Sequence, residues 1–172
     1  MIRPVRALGA VLLVAALATG CGAEEKAAEE AAEAMLSKEG SKVDIDGEKV
    51  TVEDGEGNVM NYGEGVELPD DFPEEVPLPQ GDYKVNSVYE EGERTTMMLA
   101  FEAPDMESLE EHLRSGLTEA GYTIEDGMRI DQESGKQVHF TATSAVRELS
   151  IVLMVTPEEE ATAVYTLAKA EG

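Results

Sequence analysis

The chain has 172 residues, with 37 Asp and Glu against 13 Lys and Arg, a formal charge of −24 at pH 7, and one cysteine. That balance excludes nucleic-acid binding, which needs a basic footprint for phosphates, and excludes a domain that lies flat on anionic lipid. A single Cys forms no intrachain disulfide, so packing alone has to supply stability.

Arg3 and Arg6 precede an apolar run from Ala7 to Ala18, and Leu17-Ala18-Thr19-Gly20 leads into Cys21. The 12 residues of that run fall short of the about 20 that span a bilayer but suit an export signal. Small residues running into a lone Cys resemble the lipobox of bacterial lipoproteins, with Ala18 where the commonest form has Leu. The resemblance implies that residues 1–20 are a signal peptide, cut between Gly20 and Cys21. It also implies a diacylglyceryl group on the Cys21 sulfur, hence membrane lipid as the first partner. One acyl chain binds a membrane only marginally, whereas two or three on one Cys anchor it durably. In Gram-negative lipoproteins Asp after the Cys is similar to an inner-membrane retention signal. Gly22 stands there, so the expected address is the outer membrane of a Gram-negative envelope, or otherwise the outer face of the cytoplasmic membrane.

Without residues 1–20, 152 residues remain (172 less 20), carrying 11 basic and 37 acidic side chains, a charge of −26. Residues 21–41 comprise the acylated Cys and an Ala/Glu-rich spacer. Ala23 to Lys38 contains strong helix formers and no Gly or Pro, with Glu24 and Glu25 at its start and Lys38 at its end, as the helix dipole favours. Its apolar positions, Ala28, Ala31, Ala32, Met35 and Leu36, follow helical spacing.

Residues 42–62 read as a small antiparallel meander. Val43 and Ile45, Val50 and Val52, then Val59 and Tyr62 alternate with polar residues, and Asp46-Gly47 and Asp54-Gly55-Glu56-Gly57-Asn58 mark turns. Asp54, Glu56 and Asn58 have the spacing that opens a calcium-binding loop, but its twelfth position is Gly65 and the flanks read as strands. Hairpin turns favour these residues for backbone reasons alone, so no metal is assigned. Residues 63–82 hold Pro69, Pro73, Pro77 and Pro79, with Leu68, Phe72, Val76 and Leu78 each before a proline. Proline fixes φ and pushes its predecessor to extended geometry, so this acidic stretch reads as a strap lying in a groove of the next domain.

Residues 83–172 carry most of the core. Tyr83, Val85 and Tyr89 alternate; Glu90 to Glu93 turns the chain; Met97, Leu99 and Phe101 share one face. Asp105 caps a helix whose stripe is Met106, Leu109, Leu113, Leu117 and Ala120, closed by Gly121. Strand segments follow at Tyr122 to Ile124 with an extension at Met128 to Ile130, at Val138 to Thr143, Leu149 to Thr156 and Ala163 to Leu167. The expected fold is α+β: an N-terminal helix and small meander, then one helix packed on a mainly antiparallel sheet in the order ββαβββ.

The acylated Cys, the Ala/Glu helix, the hairpins "KVDIDGEKVTVEDGEG", the strap "LPDDFPEEVPLPQG" and the helix exit "EAGYTI" together resemble a family of uncharacterised bacterial lipoproteins. The resemblance covers nearly all of the chain after Cys21 and implies fold and address, not activity. His112 and His139 lie in no metal or catalytic frame, and Ser108, Ser115 and Ser134 sit in no nucleophile elbow. No catalytic residue, metal or cofactor is expected. The reading is a non-catalytic envelope module that holds a protein partner on its exposed sheet face or an edge strand. Val152, Met154 and Val164 motivate it, as apolar groups opposite the helix. The alternative is an acidic lipoprotein that binds ions or small ligands.

Overall fold

Two-residue turns organise the strands. β1 (Lys42–Asp46) and β2 (Lys49–Glu53) are joined through Gly47 and Glu48, and β4 (Tyr83–Glu91) and β5 (Arg94–Glu102) through Gly92 and Glu93. Gly47 and Gly92 have φ of 61° and 59°, a conformation that L side chains adopt reluctantly and hairpin turns require. The structure, a computed structural model, describes residues 37, 40–102, 105–133, 135–156 and 160–170, with only the backbone of residue 160. The leader, Cys21 and, Ser37 apart, the expected helix from Ala23 to Lys38 lie outside the described residues.

The remaining elements are β3 (Val59–Val66), α1 (Met106–Glu119), β6 (Thr123–Gln132), β7 (Gly135–Thr143), β8 (Arg147–Val155) and β9 (Glu160–Lys169). All nine strands form one antiparallel sheet, in the order β1-β2-β3-β4-β5-β9-β8-β7-β6. This corrects the α+β expectation. Among the described residues the protein is a single, mainly β layer with one helix, because β3 pairs with β4 and carries the meander into the same sheet. Four strands follow the helix, in place of the three of ββαβββ, and the Tyr122 and Met128 segments merge into β6 across a bulge between Asp126 and Arg129.

One face of the central strands is the core. Met97, Leu99, Ile151, Leu153, Ala163, Tyr165 and Phe140 are fully buried there. The helix α1 covers part of it with Met106, Leu109, Leu113 and Leu117, each such side chain contributing roughly 1.5–3 kcal/mol on burial. Asp105 caps its start, accepting from the Ser108 N–H at 3.2 Å. Its end is closed when Tyr122 N–H donates to Leu117 O (2.9 Å) and Gly121 N–H to Thr118 O (3.0 Å), the paired bonds of a Schellman motif.

The proline strap covers the rest of that face. Val66, Val76, Pro73 and Pro79 are buried and Leu68, Phe72 and Leu78 pack beside them. Two turns shape it, with Phe72 N–H donating to Pro69 O and Val76 N–H to Pro73 O, both at 3.0 Å. Polar pins hold it down. Tyr165 Oη donates to Pro77 O (3.1 Å), and the Phe72 ring meets Tyr165 edge-on at 6.5 Å. From the helix, His112 Nε2 donates to Leu78 O (3.1 Å), while its Nδ1 accepts from the Gln80 amide (3.2 Å). Burial pushes the Tyr165 phenol well above its usual range, so this donor stays protonated.

A charged cluster ties α1 to the β6 edge. Glu110, the one buried charged residue among those described, pairs with Arg114 (2.8 Å) and with Arg129. Arg114 also reaches Asp126 (2.8 Å) and stacks over the Phe140 ring at 4.4 Å. Both arginines keep contact with water, so Glu110→Ala should cost roughly 1–3 kcal/mol, below the full penalty of a stranded buried charge. The strap–helix contact is tighter: a Cβ at Gly116 would lie 3.0 Å from Pro77 Cβ and Cγ. Gly116→Val is expected to lower unfolding free energy by about 1–3 kcal/mol in urea titration. Gly55→Ala, where a Cβ would lie 3.4 Å from Gly40 O and 3.9 Å from Gly40 C, ordinary contact distances, should change it by less than about 0.5 kcal/mol.

Candidate functional site

The opposite face of the sheet has no cover among the described residues, and two rows of side chains cross it. In one, Ile45 stands opposite Val50, Val50 opposite Tyr62, and Tyr62 opposite Ser87. The same row continues through Met98, Val164 and Val152 to His139. The second row runs Val43, Val52, Met60 and Tyr89, then becomes a ladder of hydroxyls: Thr96, Thr166, Ser150 and Thr141. Within it Thr96 and Thr166 are hydrogen-bonded at 3.3 Å. These side chains are half-buried by one another, and Met60 is 38% exposed.

The apolar pattern therefore changes sides along the chain. From β5 onward the largest apolar residues face the helix, whereas in β1–β3 they face away from it. The helix side of β1–β3 carries Asp44, Thr51 and Asn61, with Thr51 Oγ1 donating to Asn61 Oδ1 at 2.7 Å. The cause is a pair of matched bulges, between Tyr62 and Val66 in β3 and between Val85 and Ser87 in β4. Tyr83 and Val85 thus lie on the core side opposite Phe101 and Leu99, while Tyr89 lies on the uncovered side opposite Thr96. Their odd-numbered alternation would keep all three on one side of an unbulged strand, but one extra residue reverses all later side chains.

Val152 and Val164 lie on the uncovered face as neighbours, and Met154 lies there opposite Thr162. Sequence reasoning missed Met60, Tyr62 and Tyr89 as parts of this surface, because only the bulges place them there, whereas Met98 lies there by simple alternation with Met97 and Leu99. The sheet's two edges are less receptive. β1 presents Lys42, Asp44 and Asp46, and β6 is bulged and strongly charged, both devices that discourage strand addition.

Carboxylates bracket the apolar rows at both strand ends. At one end the Tyr89 phenol is held above its usual range, first by desolvation and then by the charges of Glu91, Asp54 and Glu56. At the other, Glu48 is raised from the ordinary carboxyl value by a hydrogen bond with Glu64 and by repulsion from its charge. Lys84 lies 3.8 Å from Glu64, both exposed.

The Asp54 turn does not offer its carboxylate to a cation. Asp54 Oδ1 accepts from Glu56 N–H (2.8 Å) and Asn58 N–H (3.0 Å), and Oδ2 from the Asn58 amide (2.8 Å). Among the described residues no three His, Cys, Asp or Glu side chains are grouped to hold a metal. The two histidines are separated by the sheet: His112 pins the strap, whereas His139 Nε2 lies 3.0 Å from Ser150 Oγ on the uncovered face. Ser108 serves the helix cap and Ser115 bonds to Glu119, while Ser134, like Gly20 and Cys21, is outside the described residues.

Compared with protein-family models, with curated proteins and with solved structures, this chain finds no match in any of the three.

Asp54 is held below its ordinary value of 3.8, chiefly by the Asn58 side chain. A lowered carboxyl stabilises the fold fully above the unfolded value and loses that contribution as pH falls through the folded value. Asp54→Ala should therefore melt below the parent protein at neutral pH. The gap should close as pH falls below the ordinary value of 3.8 and through the lower folded one, as thermal melts down an acid series would record.

Proposed function

We propose that this protein is a lipid-anchored, non-catalytic binding or scaffolding module of a bacterial envelope, holding a protein partner on the uncovered face of its sheet. The observation that carries the reading is that face itself: one mainly apolar row crossing β1 to β5 and on to β9 and β8, and a second across β1 to β4, opposite a face already occupied by helix and strap. Contiguous apolar surface of this kind on a soluble domain marks an interaction site. The charged edge β1 and the bulged edge β6 favour the face over strand addition. The address rests on Arg3, Arg6, the run from Ala7 to Ala18, and Cys21. The ion-binding alternative has the charge of the chain behind it, but its best turn spends Asp54 Oδ1 on its own backbone and Oδ2 on the Asn58 amide.

Metabolic labelling with a fatty-acid analogue should mark the wild-type chain and leave Cys21→Ala unmarked. In-cell crosslinking of the native protein, followed by mass spectrometry, should return one recurring envelope partner through residues near Met60, Met98 and Val152, lost in Cys21→Ala. Scattered contacts that track protein abundance would overturn the binding reading.

A further inference from the structure

The uncovered face is apolar along its middle and acidic at its ends, and this pattern specifies the chemistry of its occupant. The rows from Ile45 to Met98 cross five strands, a span of about 19–20 Å over four spacings of the usual 4.7–4.9 Å. A helix rises about 1.5 Å per residue, so roughly 13 residues cover that width. Along the strand direction, Asp54, Glu56 and Glu91 stand at one end with Arg94 opposite Glu91, and Glu48 and Glu64 at the other with Lys84 3.8 Å from Glu64, so carboxylates outnumber cations at each end. A helix laid across the strands would bury one stripe on the apolar rows and direct both flanks at carboxylates. The whole chain repels acidic partners through its charge of −24, and attracts cationic ones from a distance.

We infer that the face takes a cationic amphipathic helix of a protein partner, with an apolar stripe on the rows and Lys or Arg on both flanks facing the carboxylates. This inference rests on the proposed binding function and deepens it. Met60, Val52 and Tyr89 supply the apolar contact nearest one acidic end, and Val50 and Tyr62 that nearest the other. Helix recognition of this kind takes affinity from the buried stripe and orientation from the flanking charges.

The test uses the chain from residue 21 onward with Cys21→Ala, which keeps every described residue. A labelled amphipathic Leu/Lys helix of about 15 residues is titrated by fluorescence anisotropy. Beside it run a scrambled peptide of the same composition and a Leu/Glu counterpart. The Leu/Lys helix should bind, and tightest of the three. Met60→Lys, at an exposed position, should weaken it about tenfold or more with an unchanged melting temperature. Glu56→Gln with Glu91→Gln should weaken it several-fold and flatten its salt dependence. Equal binding of the scrambled peptide, tighter binding of the Leu/Glu peptide, or no effect of Met60→Lys would overturn the inference. So would self-association in sedimentation that Met60→Lys abolishes, which assigns the face to a second copy. If no peptide binds while in-cell crosslinks still converge on the face, this inference fails and the binding function stands. If the crosslinks scatter as well, both fail.

Discussion

One additional residue in β4, Asn86, lies between Val85 and Ser87 with no counterpart of its own in the β5 register, and the arrangement of both faces depends on it. Because strand side chains alternate with a period of two, that insertion reverses the side on which every later residue of β4 appears. The bulge in β3 between Tyr62 and Val66 matches it, so the first half of β3, and β2 and β1 with it, follow the reversed phase. Without the two bulges, Ile45, Val50 and Tyr62 would lie on the same side as Val66 and Leu99, extending the core. With them, the sheet has a core on one side and a second apolar surface on the other.

The core side is sealed by two unlike covers that lock each other. The helix contributes a stripe of Met and Leu, and the strap contributes prolines and the residues before them. Apolar burial supplies the driving force, while the polar pins set position: Tyr165 to Pro77, and His112 to Leu78 and Gln80. Gly116 lets Pro77 approach the helix to contact distance. The Glu110 cluster fastens the helix's other flank to β6. Four prolines cut the conformational freedom of the unfolded strap, so less entropy is lost when it docks.

On the far side no such cover is found among the described residues, and the physical chemistry is different. Apolar groups lie half-shielded by their cross-strand neighbours, and carboxylates gather at the turns, where hairpin geometry favours Asp and Glu can reach solvent. Self-repulsion at this charge opposes pairing of like faces and favours a partner of opposite sign.

Much of the local structure was legible from the residues. Asp46-Gly47 announces a hairpin, the Leu109, Leu113 and Leu117 spacing announces a helix, Gly121 ends it, and a proline directly after Leu68, Phe72, Val76 and Leu78 excludes a helix there. The alternation of Val43 with Ile45 and of Val50 with Val52 was equally plain, but alternation identifies two sides without saying which is inside. The Asp54 turn shows the same limit, because its spacing alone does not reveal that its oxygens are spent on Glu56 and Asn58. By itself, then, the sequence determined the strands, the turns, the one described helix and the charge, since these follow from residue-level propensities and period. Only the tertiary structure decided that the meander joins the main sheet and turns its apolar side away from the helix, because pairing register and bulge position depend on residues far apart in the chain.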